Sequence, residues 1–207
     1  MAILYFEACA AAPYLDGAKR DLFASRLPEA RRARISSPRR EERRALRAAA
    51  ERAFQRAARR AGVDYFSLAV AYTDLGKPYV EGRPDLAVSF SYSDGYACAL
   101  LAVAEEGGAL QVGVDMERDL PNERRDALAE RYFSPERLAE YRAADAAEQN
   151  ETFLRLWVQT EAAVKLTGQG LQACRTDATA PYGATLRHTL DGAQFFVALA
   201  ASEPFSL

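Results

Sequence analysis

The chain has 207 residues, of which 49% are hydrophobic, and its formal net charge is −2. That length and apolar content suffice for one sizeable domain or two small ones and argue against a disordered chain. No apolar run approaches the length of a membrane span, and no basic segment precedes the apolar start of the chain. We therefore expect a cytoplasmic protein with neither a membrane partner nor a secretory signal.

The three cysteines, Cys9, Cys98 and Cys174, are isolated from one another in the sequence. An odd number of isolated cysteines predicts neither a disulfide framework nor a metal cluster. Buried thiols in a reducing compartment are the expected state for all three.

The charge is spread unevenly along the chain. Residues 19–60 hold 15 basic and 5 acidic side chains, a local balance of +10, whereas the remaining residues carry −12. Such a segment predicts an anionic ligand or partner. It lacks a recognised nucleic-acid reader motif and interleaved aromatic residues, so a nucleic-acid surface is the less favoured interpretation.

The first half of the chain is predicted to hold four strands, one long helix and a turn. The helix is the clearest element, because residues 40–60 are rich in Ala and Arg and contain neither Gly nor Pro. The last two strands are expected to pair around Asp94-Gly95. The predicted strands cover residues 3–8, 66–72, 86–90 and 96–103, and the turn covers residues 74–78.

The second half is predicted to hold three helices and three strands. The middle helix has the clearest start, at Ser134-Pro135-Glu136, because Ser suits the N-cap, Pro the first helical position and Glu the positive end of the helix. Gly168 and Gly170 are expected to end the last helix, and Asp191-Gly192 is expected to form a hairpin turn. The remaining predicted elements are strands at 110–117, 183–190 and 193–200 and helices near 122–132 and 145–166.

Helices and strands thus recur in a similar order on both sides of residues 105–108, which form the best break in the sequence. This order predicts an α+β fold made of two similar α/β halves, residues 1–104 and residues 105–207.

Two carboxylates interrupt the otherwise apolar strand 110–117. Asp115 and Glu117 lie two residues apart, so their side chains share one face and one cation could bridge them. Two buried carboxylates without a partner would be costly. Either the strand end is solvated or a cation is held there, and the spacing alone leaves both interpretations open.

The last predicted helix carries Trp157, Glu161 and Lys165 at spacings of four, which places them on one helix face. An ordinary surface Glu–Lys pair fits this spacing, but the only Trp of the chain heads the same stripe and favours an inward face. A third carboxylate beside the other two would complete the all-oxygen set that Mg²⁺ prefers, and Lys165 would then face the phosphates of a substrate.

Three motifs, in this order and spacing, resemble those of the surfactin-type 4′-phosphopantetheinyl transferases. They are G-V-D-x-E at 113–117, F-S-x-E at 133–136, and W-x-x-x-E-A-x-x-K-x-x-G-x-G-L at 157–171. The first half adds Gly76-Lys77-Pro78 and the segment S-F-S-Y-S at 89–93. The resemblance spans most of the chain, from the arginine-rich helix to Leu171.

Members of this family move the phosphopantetheine arm of coenzyme A onto a serine of an apo acyl, peptidyl or aryl carrier protein and release adenosine 3′,5′-bisphosphate. They are similar to a fused pair of α/β halves, a pseudo-dimer, with coenzyme A in the cleft between the halves. The resemblance therefore implies a Mg²⁺-dependent transferase with coenzyme A as co-substrate and a carrier protein as partner. Two fused halves would allow a monomer.

The resemblance also implies particular site residues. The Mg²⁺ ligands would be Asp115, Glu117 and Glu161. The residues that contact coenzyme A would be Arg44, Lys77, Pro78, Ser91, Tyr92 and Lys165. Within these sets, Lys165 would face the pyrophosphate and Arg44 the 3′-phosphate. Asp115, Glu161 and Lys165 would form the catalytic group, with Glu161 as the candidate base for the serine proton.

Two positions depart from the family pattern. Tyr92 stands where the family usually has His, and Thr160 stands where it commonly has Lys. Tyr donates one hydrogen bond but cannot become cationic near neutral pH, so weaker or differently posed coenzyme A is expected. These departures motivate a second hypothesis, a coenzyme A-binding or carrier-docking protein without turnover. The single histidine, His188, lies outside every motif, and no His-based catalysis is predicted.

Overall fold

Two sheets, in which all strand pairs but one are antiparallel, carry the fold, and each is covered by one long helix. The structure is a computed structural model that describes residues 1–105, 109–170 and 180–207. Its α-helices are α1 Gly17–Ala24, α2 Glu29–Ser36, α3 Glu41–Arg60, α4 Arg125–Tyr132, α5 Pro135–Ala143 and α6 Gln149–Thr167. Its strands are β1 Ala2–Ala10, β2 Val70–Tyr72, β3 Pro78–Val80, β4 Leu86–Ser93, β5 Tyr96–Ala104, β6 Val112–Arg118, β7 Tyr182–Leu190, β8 Ala193–Ala201 and β9 Phe205–Ser206.

The two main sheets share one strand order. The larger sheet runs β4-β5-β1-β9, and the smaller runs β6-β8-β7. In each sheet a first strand (β1 or β6) pairs antiparallel with the second strand of a later hairpin (β5 or β8). In each sheet the long helix between them, α3 or α6, packs on that central pair. The fold is therefore mixed α and β, as the sequence predicted.

The core is layered, because each sheet buries apolar side chains on both faces. One face of the smaller sheet, with Val114 and Phe195, packs on the face of the larger sheet that carries Leu4 and Leu100. The opposite face of the larger sheet packs on α3, and that of the smaller sheet packs on α6. The order of layers is therefore helix, sheet, sheet, helix.

The alanine-rich helix α3 buries a stripe of small side chains together with Phe54. Small side chains let the helix lie close to the sheet, while the arginines stay on its other faces. The charged segment of the sequence is therefore also an amphipathic helix that covers the first sheet.

Gly113 determines how closely β6 approaches α6. A Cβ atom added at this position would lie 2.0 Å from the carbonyl oxygen of Ala162 and 2.6 Å from the amide nitrogen of Leu166. Only glycine permits this contact, because any side chain would collide with the helix backbone. The close approach brings the acidic face of β6 against the helix that carries Glu161.

Most predicted elements are present with boundaries shifted by a few residues. The predicted strand at 66–72 is partly wrong, because a short 3₁₀ helix at Tyr65–Ser67 precedes β2, and Asp64 caps that helix by accepting a hydrogen bond from the amide of Phe66. The helices α1 and α2 were not predicted. The predicted caps are confirmed: Ser134 accepts from the amide of Arg137, and Gly168 ends α6 in the left-handed conformation.

Two further expectations concern the cysteines and the membrane. Cys9 and Cys98 are buried free thiols, whereas Cys174 lies outside the described residues, as do residues 106–108 of the predicted midpoint break. Among the described helices, none combines the length and apolar character that crossing a bilayer would require.

Candidate active site

Strands β4 and β6 meet along a seam that serine side chains hold together. Each strand is the edge of its own sheet, and backbone pairing does not join them. Instead, the hydroxyl oxygen of Ser89 accepts from the amide of Val114 at 3.1 Å, and that of Ser93 accepts from the amide of Arg118 at 3.0 Å. The constant offset between these pairs means that the two strands run in the same direction.

Asp115 lies in the middle of this seam and is only 3% exposed. Its Oδ1 atom accepts hydrogen bonds from Ser91 Oγ at 2.6 Å and from Lys165 Nζ at 2.7 Å. Its Oδ2 atom is buried and has no hydrogen-bond partner among the described residues. One half of the carboxylate is therefore saturated, and the other half is left for a further ligand.

Glu117 and Glu161 complete an acidic cluster around Asp115. Desolvation, followed by repulsion from Asp115, raises the pKa of each of these glutamates to about 7. Glu117 accepts a hydrogen bond from Ser93 Oγ at 2.7 Å. The three acids, which come from a strand and a separate helix, thus share one electrostatic environment and lack enough positive charge to balance it.

Lys165 forms an ion pair with the central acid of this cluster, Asp115. Its Nζ atom donates to Ser91 Oγ at 2.9 Å as well as to Asp115. Burial lowers the pKa of Lys165, but attraction to Asp115 and Glu161 outweighs burial, so the net pKa is raised. The predicted inward face of α6 is therefore confirmed for Lys165.

The acidic cluster is not arranged as a finished metal site. Within residues 1–105, 109–170 and 180–207, no group of three His, Cys, Asp or Glu side chains is spaced to hold a metal ion. The chemistry nevertheless fits a hard divalent cation, because the unpartnered Oδ2 of Asp115 and two carboxylates with raised pKa values are oxygen donors whose negative charge exceeds that of Lys165.

A cavity of about 200 Å³ opens beside Lys165. Four of the residues predicted to contact coenzyme A line it: Lys77, Pro78, Tyr92 and Lys165. Ser91 lies behind this wall, hydrogen-bonded to Lys165. The structure therefore gathers these residues from two separate parts of the chain around one opening.

The sequence did not single out Arg34 and Tyr72, which also line this cavity. The guanidinium of Arg34 lies 3.4 Å from the centre of the Tyr72 ring. Arg47 lies alongside, donating to the carbonyl of Arg34 at 2.6 Å. The only sequence signal for these arginines was the basic segment, which offers 15 candidates without ranking them.

Arg44 occupies a different place from these two arginines. Its Nε atom donates to the carbonyl of Pro38 at 2.7 Å, and its Nη1 atom donates to Glu41 at 2.8 Å. Arg44 therefore ties down the start of α3 and does not line the described cavity beside Lys165. Its contact with the 3′-phosphate stays a prediction.

Lys77 caps the C-terminal end of α6 through its side chain. Its Nζ atom donates to the carbonyl of Leu166 and lies 3.4 Å from Gln111 Oε1. Its side chain also packs over Gly168, where a Cβ atom would lie 2.8 Å from Lys77 Cδ. Burial lowers the pKa of Lys77. The Gly-Lys-Pro motif of the first half is thus anchored to the helix of the second half.

The two departures from the family pattern have distinct environments. Tyr92 is 41% exposed, and desolvation of its hydroxyl raises its pKa to about 12, so the group stays neutral. Thr160 is buried, and its hydroxyl receives a hydrogen bond from the guanidinium of Arg137. The guanidinium of Arg137 on α5 therefore places a positive charge beside position 160 of α6, where the family's Lys would have supplied one.

The aromatic residues of the motifs, and His188 outside them, make packing contacts. Trp157 stacks on Phe153 with ring centres 5.8 Å apart, and Phe133 packs against both rings. His188 meets Phe6 edge to face, and burial lowers its pKa. The F-S-x-E motif thus docks α5 on α6, and Leu171 at the end of the third motif lies outside the described residues.

Comparison with known proteins shows what the second half of the chain is similar to. Residues 111–199, which span β6, α6 and most of the β7–β8 hairpin, match the family model of the 4′-phosphopantetheinyl transferase superfamily. This part of the chain is therefore similar to that superfamily, and the predicted resemblance to the surfactin-type enzymes is confirmed.

Individual relatives carry the same name. A 4′-phosphopantetheinyl transferase of Bacillus subtilis is 28% identical over 111 residues, which cover 53% of this chain and 46% of the relative. The transferase HetI of Nostoc sp. is 30% identical over 111 residues, with coverage of 53% and 46%. The transferase psf-1 of Bacillus pumilus is 32% identical over 96 residues, with coverage of 46% and 38%. The chain covers less than half the length of each of these relatives.

Proposed function

We propose that this protein is a 4′-phosphopantetheinyl transferase that moves the phosphopantetheine arm of coenzyme A onto a serine of an apo carrier protein. The observation that carries the proposal is the junction of Asp115, Glu117, Glu161 and Lys165 beside a cavity lined by Lys77 and Tyr92. The family of residues 111–199 and the names of the relatives support the same activity.

In this proposal the cavity binds the phosphates of coenzyme A. Lys77, Lys165 and Arg34 line it and supply three cationic groups on different elements. The neutral hydroxyl of Tyr92 donates a hydrogen bond to a phosphate oxygen, where the family's His would also contribute charge. Fixed donors around a pyrophosphate favour the charge that develops on the departing phosphate.

Mg²⁺ is the proposed metal, held by Asp115, Glu117 and Glu161. The ion would neutralise the pyrophosphate and orient it for attack. The chain's own contribution is a set of oxygen donors whose mutual repulsion is relieved when a cation binds, so the same crowding that raises the pKa values of Glu117 and Glu161 favours metal binding.

The chemical step breaks the phosphoanhydride bond of the pyrophosphate and forms a phosphate ester with the carrier serine. The hydroxyl oxygen of the carrier serine bonds to the phosphorus that bears the pantetheine arm, and the bond from that phosphorus to the bridging oxygen breaks. Adenosine 3′,5′-bisphosphate leaves, and Lys165 offsets its charge. Glu161 is the candidate acceptor of the serine proton, because an ionised carboxylate beside the reacting phosphate can act as a general base.

We also infer that the chain is a pseudo-dimer of halves 1–104 and 105–207, with the site in the cleft between them. The shared strand order and the matching positions of α3 and α6 support this inference. The seam between β4 and β6 is where the halves would meet. A monomeric, cytoplasmic enzyme that does not act on nucleic acids belongs to the same proposal.

The decisive experiment incubates the protein with coenzyme A, Mg²⁺ and purified apo carrier proteins of the acyl, peptidyl and aryl classes. Mass spectrometry of the carrier should show the added phosphopantetheine arm, and chromatography should show an equal amount of adenosine 3′,5′-bisphosphate. Addition of EDTA should stop both. If the protein loads none of the three classes of carrier, the proposed activity is wrong.

The alternative is a protein that binds coenzyme A or docks a carrier protein without turnover. The neutral tyrosine at position 92 favours it, because one phosphate contact lacks the charge of the family's His. Coenzyme A binding measured by calorimetry, together with an unmodified carrier in the mass assay, would support this alternative.

A further inference from the structure

Three serines of β4 face β6, but they make different contacts. Ser89, Ser91 and Ser93 alternate along the strand and are all buried. Ser89 and Ser93 each accept a hydrogen bond from a backbone amide of β6. Of the two, only Ser93 also donates a hydrogen bond to an acidic side chain, that of Glu117. Ser91 contacts Asp115 and Lys165 and accepts no bond from a backbone amide of β6 among the described contacts.

The contact of Ser93 has a defined direction. Its oxygen accepts from the amide of Arg118 at 3.0 Å, so its hydroxyl proton is available for Glu117 Oε2, which lies 2.7 Å away. Ser93 is 8% exposed and is held on a strand, so the donor cannot easily turn to solvent. Glu117 stands near the end of β6 and is partly buried there.

We propose that Ser93 is a positioning residue, which orients the carboxylate of Glu117 toward the divalent-cation site by a hydrogen bond to Oε2 while it anchors the end of β6. This inference rests on the proposed function, because it assigns Glu117 to a cation site. Residues that orient a metal ligand by a hydrogen bond commonly contribute about 10- to 100-fold to metal affinity.

Ser89 provides a matched control. Ser89→Ala and Ser93→Ala each remove the acceptor of one buried amide of β6, so both should weaken the seam to a similar extent. Only Ser93→Ala also removes a hydrogen bond to an acid. A loss of cation affinity that is confined to position 93 therefore reports positioning rather than seam stability.

The experiment measures binding of Mn²⁺ to the free protein by electron paramagnetic resonance of the unbound ion. Relative to wild type, Ser93→Ala should raise the dissociation constant about tenfold, and Ser89→Ala should leave it nearly unchanged. If alanine at position 93 prevents folding, Ser93→Thr and Ser93→Val form a second pair of equal shape that differs in the hydroxyl. The Thr variant should bind Mn²⁺ nearly as wild type does, and the Val variant should bind it about tenfold more weakly.

Equal affinity in wild type and Ser93→Ala, or an equal loss in Ser89→Ala, overturns the inference. So does a wild-type protein that binds no Mn²⁺. The transfer assay on wild type is scored separately. If the wild type loads a carrier but Ser93→Ala does not change the affinity for Mn²⁺, only the positioning role is wrong. If Ser93→Ala binds Mn²⁺ more weakly but the wild type loads no carrier, only the proposed transferase activity is wrong.

Discussion

Two clusters of buried charge in this molecule have opposite characters. In the first, Glu51 accepts hydrogen bonds from Arg31 Nη2 at 2.5 Å and from the hydroxyl of Tyr65 at 2.7 Å. Arg31 is almost fully buried and also donates to the carbonyl of Tyr65 at 2.9 Å. Its guanidinium lies 4.0 Å from the centre of the Tyr65 ring. The charges are paired, and the cluster joins α2, α3 and the 3₁₀ helix.

The second cluster lies between β6 and α6 and holds three acids for one cation. Asp115 leaves one oxygen without a partner among the described residues, and Glu117 and Glu161 have pKa values of about 7. The comparison teaches that burial of charge alone does not mark a functional site. What distinguishes the second cluster is the imbalance, since an unpaired buried carboxylate costs stability unless a ligand compensates for it.

The paired cluster should give the largest effect on stability. Arg31→Ala leaves the Glu51 carboxylate buried with Tyr65 as its main partner, so the free energy of unfolding should fall by about 3 to 5 kcal/mol. Urea unfolding measures it. The double variant Arg31→Met with Glu51→Met should recover most of that loss, because no charge remains unpaired. A loss below about 1 kcal/mol in the single variant would mean that the cluster contributes little.

A substitution in the unpaired cluster should instead lower the transfer activity. Asp115→Asn keeps the size of the side chain but removes the charge, and transfer to a carrier protein should fall by about 100- to 1,000-fold because metal-dependent charge stabilisation amounts to several kcal/mol. The unfolding midpoint should change little. Activity in Asp115→Asn within a few-fold of wild type would refute the role of this carboxylate.

The pH dependence of stability should separate the clusters. A glutamate whose folded pKa is raised from about 4.5 to about 7 binds more protons in the folded state, so stability falls as pH rises through that window. Without metal, Glu161→Gln should therefore be more stable than wild type by about 1 to 3 kcal/mol at about pH 8, and the difference should shrink toward pH 5.

Urea unfolding in EDTA at both pH values provides the measurement. Glu51→Gln is the control from the paired cluster, and it should be destabilised at both pH values because its carboxylate is compensated by Arg31. If Glu161→Gln is less stable than wild type at the higher pH, the ionised carboxylate of Glu161 does not destabilise the folded protein.

The smallest effect is expected at the edge of the cavity. Tyr92→His restores a side chain that can carry charge near a phosphate, so coenzyme A should bind up to about tenfold more tightly. Isothermal titration calorimetry measures the affinity. Arg34 and Arg47 lie close enough to influence the pKa of this position, and an unchanged or weaker affinity would mean that they already supply the charge that His would add.

Local patterns predicted the elements that carry the acids. The alternation of β6 placed Asp115 and Glu117 on one face, and the spacing of four in α6 placed Glu161 and Lys165 on another. Both patterns depend on residues a few positions apart, whose relative directions the backbone geometry sets. The prediction failed at residues 66–68, where an Asp64 cap selects a 3₁₀ turn over the strand that the apolar run suggested.

The sequence by itself therefore determined the order of the elements, the acid pair, the helix stripe and the family resemblance. Only the tertiary structure decided that Ser93 contacts Glu117, that Lys165 pairs with Asp115, and that Arg34 rather than Arg44 lines the cavity. Those contacts join residues that are far apart in the chain. Their distances follow from how two sheets and two helices pack, down to a glycine at 113 that lets β6 touch α6, and no local periodicity encodes that packing.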